Sequence, residues 1–175
     1  MLHRRSIRRL IVLVSVASLV ALGGAAPVAH AEEAPPSWAG IAVDLNGRPI
    51  PPVRATEYFC HDFDYPEIHC FETAEELEEA VNPELQFMAL SGTTFVTVYD
   101  NILYQGPYMH ISQNHDMLFF VGWNDRISSL RSRNGGRGTF WTDWFSGGRY
   151  FDFCCNNWYS SIGSFNDTFS SVYRG

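Results

Sequence analysis

Lysine is absent from this sequence. Its 12 basic side chains are therefore all arginines, and they are outnumbered by 19 acids, which gives a formal net charge of −7. No basic run occurs after the first ten residues. Because nucleic-acid binding depends on clustered positive charge, this composition argues against a nucleic-acid partner. An acidic protein suits cations better, and its acidity also favours solubility.

Long apolar stretches are scarce as well. The one long apolar run, from Leu10 to about Gly23, is shorter than the roughly 20 residues of a membrane span. It follows a basic start and precedes Ala29-His30-Ala31, so residues 1–31 are predicted to be a signal peptide. We favour the general secretory route over the twin-arginine route, whose motif is matched poorly. Cleavage removes four arginines and no acid, which changes the net charge to −11. We expect a soluble, extracellular monomer.

Cysteine is also sparse. The chain has four, Cys60, Cys70, Cys154 and Cys155, and an even number in an exported protein indicates disulfides. A bond between the adjacent Cys154 and Cys155 would be a strained vicinal bridge. We therefore predict that Cys60 and Cys70 each bond to one of that pair, although this requires a bulge or a strand end because strand neighbours point to opposite faces. The spacing does not match a zinc site.

Periodicity is missing from residues 32–57, which are rich in proline and are interpreted as a flexible or loosely docked lead. Residues 58–93 are predicted to form a strand–helix extension, with two short strands around a turn near Tyr65-Pro66. The helix begins with a capping box of Thr73 and Glu76 and ends at Asn82-Pro83. Its predicted apolar stripe is Leu77, Ala80 and Val81. The acids around it are interpreted as a solvated face: Glu72, Glu75, Glu76, Glu78 and Glu79.

Residues 94–175 show short alternating runs separated by glycine-rich turns, which predicts an all-β domain. They also contain an internal repeat. Residues 99–106 (YDNILYQG) align with residues 140–147 (FWTDWFSG), since an aromatic, a second aromatic and a glycine fall at the same positions. The offset is 41 residues here and 42 further on, so we infer one added residue near Gly147-Gly148. Two keys, 94–133 and 138–174, predict two four-stranded antiparallel units facing each other.

Each repeat ends in the same kind of hexamer. Residues 124–129 read NDRISS and residues 166–171 read NDTFSS. Together the octads and hexamers resemble the βγ-crystallin family, whose microbial members carry a calcium-binding stretch of the form Asn/Asp-Asn/Asp-x-x-Ser/Thr-Ser. The resemblance covers residues 94–174. It implies an all-β, βγ-crystallin-like sandwich of two Greek keys, preceded by the small N-terminal strand–helix extension.

The resemblance also implies two calcium sites. Calcium takes six to eight oxygen ligands, and the hexamer offers amide, carboxylate, carbonyl and hydroxyl oxygens. The third residue binds through its carbonyl, the fifth through its hydroxyl, and the opening pair shapes or completes the site. A further carbonyl comes from the opposite hairpin, four residues before its glycine. The implied ligands are Asn124, Asp125, Arg126 and Ser128 with Asp143, and Asn166, Asp167, Thr168 and Ser170 with Ile102. Few carboxylates and the Arg126 cation predict modest to weak affinity.

Other groups of residues give weaker evidence of a function. No nucleophile elbow, zinc-protease motif or phosphate loop occurs in the sequence, so we do not expect an enzyme. Between two cysteines lie four polar residues: His61, Asp62, Asp64 and His69. A metal site or a catalytic pair is conceivable there. We interpret them instead as a polar surface hairpin in which His61 and His69 are opposite each other. Four aromatic residues are either core or an exposed patch for sugars or a protein: Trp141, Trp144, Trp158 and Tyr159.

The sequence thus predicts a secreted, disulfide-stabilised protein in which calcium stiffens the fold. Two alternatives come from other classes. One is an exported metalloproteinase inhibitor, because secreted actinobacterial inhibitors resemble βγ-crystallins in fold, although the cysteine spacing does not obviously follow theirs. The other is a cell-wall or toxin-like binding module that uses surface tryptophans. An extracellular protein or protease would then be the partner.

Overall fold

The computed structural model describes residues 40–81 and 94–175. The predicted signal peptide, the first part of the lead and the Asn82-Pro83 helix stop lie outside these residues. The single α-helix described, α1, spans Ala74–Val81, and no helix in the two described ranges is long and apolar enough to cross a membrane. The strands are β1 (Ile41–Val43), β2 (Phe59–His61), β3 (Glu67–Phe71), β4 (Val96–Tyr99), β5 (Tyr108–Ile111), β6 (Ser129–Ser132), β7 (Arg137–Trp141), β8 (Tyr150–Cys154), β9 (Trp158–Tyr159) and β10 (Ser171–Arg174).

The strands form two sheets. One has seven strands in the order β1-β3-β2-β5-β4-β6-β9, and the other has three in the order β10-β7-β8. The keys exchange strands, because β9 of the second key pairs with β6 of the first, while His115 of the first key bridges to Val172 of the second. The all-β sandwich of two Greek keys is therefore confirmed. The two sheets differ in size, however. In the smaller sheet, the isolated bridge from His115 to Val172 takes the place of a fourth strand.

The N-terminal extension is part of the larger sheet. β2 pairs in parallel with β5, β3 pairs antiparallel with β2, and β1 pairs in parallel with β3. Within residues 32–57, interpreted as a flexible or loosely docked lead, residues 41–43 form β1. A three-residue strand followed by Asn46-Gly47 is too short to show alternation in the sequence.

The core lies between the two sheets and is rich in aromatic rings. Phe140 stacks on Phe169 at a centroid distance of 4.8 Å and packs against Phe153 at 5.3 Å. Val98 and Leu130 face these rings from the larger sheet. Each buried aromatic side chain removes a large apolar area from water, so these residues provide much of the stability of a domain this small.

The helix is capped as predicted. The Glu76 backbone N–H donates to Thr73 Oγ1 at 3.2 Å, and the Thr73 N–H donates to Glu76 Oε2 at 3.1 Å. Leu77 is fully buried, whereas Ala80 and Val81 are half-buried, and the five acids are exposed. Glu78 is more than a solvated charge, because its Oε1 accepts a 2.6 Å hydrogen bond from Tyr108 Oη and attaches the helix to β5.

The predicted disulfide pairing is wrong. Cys60 bonds to Cys70, and Cys154 bonds to Cys155. Cys60 and Cys70 are direct cross-strand neighbours on β2 and β3, with Cα atoms 4.1 Å apart, and both side chains enter the core. The adjacent pair lies elsewhere, where β8 ends and Cys155 turns to a φ of 69°.

Candidate metal site

The two hexamers interlock at the interface of the keys. The Asp125 N–H donates to the Phe169 carbonyl at 2.9 Å, and the Asp167 N–H donates to the Ile127 carbonyl at 3.1 Å. Both aspartates have left-handed backbones, with φ of 52° and 53°. In each hexamer the opening asparagine donates its side-chain N–H to the following aspartate at 2.6 Å. This chemistry explains the Asn-Asp opening, because Asn and Asp tolerate positive φ better than most residues.

The last serine of each hexamer supports a hairpin. Ser129 Oγ donates to the Asn101 carbonyl at 2.6 Å and accepts from the Tyr104 N–H at 3.0 Å. Ser171 Oγ likewise donates to the Asp143 carbonyl at 2.7 Å and accepts from the Ser146 N–H at 3.2 Å. Both serines are fully buried. The second hydroxyl of each hexamer therefore fixes the hairpin and is not available to a ligand.

These contacts correct the register of the repeat. Asn101 corresponds to Asp143, so the offset is 42 residues in the hairpins as well as in the hexamers. Strand pairing agrees, since Tyr99 pairs with Tyr108 and Trp141 pairs with Tyr150. The hairpin glycines that match are Gly106 and Gly148, with φ of 77° and 76°. The alignment through Gly147 was wrong because the sequence does not reveal which of two adjacent glycines has positive φ.

The corrected register changes one implied ligand. Four residues before its glycine, the first hairpin has Ile102 and the second has Trp144, so Asp143 is not the equivalent of Ile102. The carbonyl of Asp143 accepts the Ser171 hydroxyl, while its side chain is exposed. Among the described residues, no hydrogen bond to the carbonyls of Ile102, Arg126 or Thr168 is present. These three carbonyls are therefore free to accept a cation.

The oxygens group across the hexamers. Asp125 of the first hexamer and Ser170 of the second line one open cleft with the second hairpin. Ser128 of the first hexamer donates from Oγ to Asp167 Oδ1 of the second at 3.1 Å. The resemblance had implied Asp125 together with Ser128, and Asp167 together with Ser170. We name the two groups the Ser128 site, containing Ser128 and Asp167, and the Ser170 site, lined by Asn124, Asp125, Thr142, Asp143, Trp144, Phe145 and Ser170.

The Arg126 side chain is held by three acceptors. Its Nε donates to Asp100 Oδ1 at 2.8 Å, and its two terminal nitrogens donate to the Gly122 and Thr56 carbonyls at 2.9 and 2.8 Å. The guanidinium also lies 4.5 Å from the centre of the Trp123 ring. Its charge is therefore paired with Asp100 instead of being left unpaired beside the metal site.

The Ser170 site is electronegative. The pKa of Asp125 is raised above its ordinary value, first by burial and then by the negative charges of Asp167 and Asp143. The Asn124 side chain opposes this shift by donating to the carboxylate. A carboxylate whose pKa is raised by neighbouring negative charge is stabilised in its ionised form when a cation binds. The described residues contain no group of three His, Cys, Asp or Glu side chains placed to hold a metal, so a cation here needs hydroxyl and carbonyl oxygens too.

The four aromatic residues divide evenly. Trp144 and Trp158 are 47% and 63% exposed, so two of the four are on the surface, whereas Trp141 and Tyr159 are half-buried. Trp144 makes a contact with the first hexamer that the sequence did not predict. It donates from Nε1 to Asn124 Oδ1 at 3.3 Å and so joins the second hairpin to the first hexamer. Its position in the repeat could have indicated this contact, because Trp144 directly follows Asp143, which the resemblance implies as a ligand.

The polar hairpin between the cysteines is more buried than predicted. His61 and His69 face each other with ring centroids 5.4 Å apart, as expected. Asp62, however, is fully buried and accepts hydrogen bonds from the Ser112 and Gln113 N–H groups and from His115 Nε2, at 2.6, 3.0 and 2.8 Å. Burial lowers the pKa of His61 to about 4, with a smaller contribution from His69. The surface interpretation failed for His61 and Asp62, which lie where β2 docks on β5, whereas Asp64 is exposed and His69 is half-buried.

Comparison with known proteins gives structural neighbours only. No family model and no curated protein matches the chain. A βγ-crystallin from Ciona intestinalis is 20% identical with a TM-score of 0.43, and the match covers 46% of this chain and 98% of that one. An archaeal βγ-crystallin (26%, TM-score 0.40) and a βγ-crystallin domain from Flavobacterium johnsoniae (27%, TM-score 0.41) each match 46% of this chain and 95% and 93% of their own. The chain is similar to these domains over about half of its length.

Proposed function

We propose that this protein is a secreted, non-enzymatic calcium-binding protein whose fold calcium stabilises. The observation that carries the proposal is the interlocking of the two hexamers, which brings Asp125 towards Ser170 and Asp167 towards Ser128. The carbonyls of Arg126 and Thr168 add oxygens that accept no other hydrogen bond in the described ranges. Hard oxygen donors of this kind suit calcium, whereas soft metals prefer thiolate or imidazole.

Calcium would act by linking the keys. Each site draws oxygens from both hexamers, so a bound ion joins two parts of the chain that are about 40 residues apart. An ion that binds only the folded state adds stability by mass action, by about 2.7 kcal/mol when its concentration is 100 times Kd. It would also relieve the repulsion among Asp125, Asp143 and Asp167.

The two sites should differ in affinity. Ser170 is 5% exposed, and its hydroxyl has no hydrogen-bond partner among the described residues. The Ser128 hydroxyl already donates to Asp167. The Ser128 site must give up that hydrogen bond when both oxygens turn to an ion, whereas the Ser170 hydroxyl has no hydrogen bond within the described residues to give up. We therefore expect the Ser170 site to bind calcium more tightly.

Titration calorimetry of protein expressed from the full chain and freed of metal by a chelator tests the proposal, with melting followed in parallel. We expect two unequal sites and a higher Tm in calcium. Ser170→Ala should remove the tighter site and Ser128→Ala the weaker, while Ser160→Ala, an exposed serine outside both hexamers, should change neither. Mass spectrometry should find that the exported protein begins at Glu32. Absence of heat and of a Tm shift at millimolar calcium would contradict the proposal.

A further inference from the structure

The Ser170 site combines a polar floor with an aromatic rim. Its floor is formed by hydroxyl, amide and carboxylate groups, including Thr142, Asp143 and Ser170, and its rim is formed by Trp144 and Phe145. The two rim residues are 47% and 55% exposed. Sites for small ligands are typically concave, with apolar walls and a few polar groups that fix orientation.

Ser170 leaves one polar group unused in the floor. Its side chain is almost completely buried, yet no described residue bonds to its hydroxyl. The Ser170 hydroxyl lines the open cleft and is not one of the described buried polar atoms that lack a partner, so it faces the space that a ligand would occupy. The neighbouring Ser171 hydroxyl makes two hydrogen bonds. Crowding by the backbone therefore does not explain why the Ser170 hydroxyl makes none. The free hydroxyl is therefore available to an incoming ion or ligand.

The Trp144 ring is held in place beside this floor. Its indole N–H donates to Asn124 Oδ1 at 3.3 Å, and Asn124 Nδ2 donates to Asp125 Oδ2 at 2.6 Å. Phe119 lies next to Trp144 with ring centroids 6.5 Å apart and is 47% exposed. The Trp144 ring is thus connected to the Asp125 carboxylate through the side-chain amide of Asn124. The exposed aromatic surface continues from Trp144 to Phe119. A fixed ring costs less conformational entropy to bind against than a mobile one.

The charge of the site selects the ligand. Asp125 and Asp143 line the cleft, and their two carboxylate charges are balanced by one calcium ion, so the loaded site has no net charge to attract an anion. Neutral polyols carry hydroxyls that donate to carboxylates and flat C–H faces that pack on aromatic rings. We propose that the Ser170 site, with calcium bound, takes a neutral saccharide whose hydroxyls meet the ion and the floor and whose apolar face packs on Trp144. This inference rests on the proposed calcium binding. Calcium accepts hydroxyl oxygens among its six to eight ligands.

The Ser128 site provides the matched comparison. At the positions equivalent to Trp144 and Phe145 the first hairpin has Ile102 and Leu103, which are 51% and 59% exposed. These side chains are apolar but have no flat ring for a sugar to stack on. Asn166 donates to Asp167 as Asn124 does to Asp125, but it has no tryptophan partner in the described residues. We therefore assign saccharide binding to one site of the two.

The test is binding of full-chain-derived protein to a printed panel of neutral and acidic saccharides, in millimolar calcium and in chelator. We expect retention on neutral saccharides in calcium only. Trp144→Ala should weaken binding by about tenfold or more, and Trp144→Phe, which keeps a ring but loses the Asn124 contact, should weaken it less. The control Trp158→Ala, which changes an exposed tryptophan elsewhere, should bind as the unmodified protein does. Melting curves check that each variant is folded.

Several results would overturn the inference while leaving calcium binding intact. These are calorimetric heat from calcium without retention on any saccharide, retention that chelator does not abolish, and an equal loss in Trp158→Ala and Trp144→Ala. Calcium-dependent binding to phosphatidylserine vesicles without saccharide binding would identify a membrane ligand instead. Absence of calcium heat would overturn the proposed function as well, so the two failures are distinguishable.

Discussion

The two hexamers and their hairpins have nearly the same backbone but different side chains. The hairpin residues Leu103 and Phe145 have φ of 59° and 53°, and the hexamer aspartates differ by one degree. Yet Ser128 donates to Asp167, while Ser170 has no partner in the described residues. The comparison separates residues that fix the backbone of the loop from residues whose side chains determine what the loop can bind. Positive-φ positions and the final serine belong to the first group.

The third hexamer position shows the same division. Arg126 reaches Asp100 and the Thr56 carbonyl and so ties the first hexamer to the N-terminal extension. Thr168 instead donates its hydroxyl to the Phe165 carbonyl within its own key. One backbone position therefore supports a long-range anchor in one key and a local cap in the other. The first key is fastened to a further element, whereas the second carries the open cleft.

The strongest test of backbone equivalence is to add a methyl group to the hairpin glycines. A Cβ on Gly106 would lie 2.6 Å from Asn101 Nδ2, and one on Gly148 would lie 2.7 Å from Asp143 Oδ2. Gly106→Ala and Gly148→Ala should each lower the free energy of unfolding by about 2–4 kcal/mol, through left-handed strain and collision. Denaturant unfolding measures both.

Gly135→Ala is the control for that pair. Gly135 has a φ of 68°, but nothing lies within 4 Å of an added Cβ, so only the strain of about 1–2 kcal/mol should remain. A large loss at Gly106 together with a small one at Gly148 would break the equivalence of the two hairpins.

The next test separates the two serines within each hexamer. In calcium-free protein, Ser129→Ala and Ser171→Ala should each cost about 1–3 kcal/mol, because a hairpin carbonyl and a hairpin N–H lose a buried partner. Ser170→Ala should cost much less, since its hydroxyl has no partner to lose. Thermal and urea unfolding in chelator give the values. A Ser170→Ala loss as large as that of Ser171→Ala would refute the division between loop-setting and binding residues.

The smallest expected effect concerns charge in the calcium-free Ser170 site. Because the pKa of Asp125 is raised, the folded state disfavours its ionised form, and stability is lost as pH rises through that pKa. Asp125→Asn should therefore melt slightly higher than the unmodified protein at neutral pH in chelator. The difference should vanish in acid, where both side chains are neutral. Melting across pH checks this, and a lower Tm for the variant at neutral pH would contradict it.

Local chemistry could be predicted from the sequence, whereas pairing across the chain could not. The capping box of Thr73 and Glu76 and the equivalence of the hexamers depend on short patterns, and both are present in the structure. The disulfide pairing was wrong although the predicted hairpin, with His61 opposite His69, also places Cys60 opposite Cys70; it failed because a bond between the adjacent Cys154 and Cys155 was excluded as strained. Burial of Asp62 depends on the docking of β2 against β5.

The candidate metal site shows the same contrast between local patterns, which could be predicted, and contacts across the chain, which could not. Repeated residues pointed to Asp125, Ser128, Asp167 and Ser170 without any alignment of structures. The crossing of oxygens between hexamers depends on the way the keys exchange strands, which one key alone does not encode. Likewise, the 42-residue register depended on the backbone angle of Gly148 and not on its identity.

The docking of β2 on β5 has a consequence for behaviour in solution. A two-key sandwich that ended at β5 would present an open row of backbone N–H and carbonyl groups, which is a template for edge-to-edge aggregation. The extension covers that row, and the larger sheet now ends in β1 and β9, strands of three and two residues. Edges this short offer few hydrogen bonds to a second molecule. The N-terminal segment thus covers a sheet edge that would otherwise be open to pairing with a second molecule.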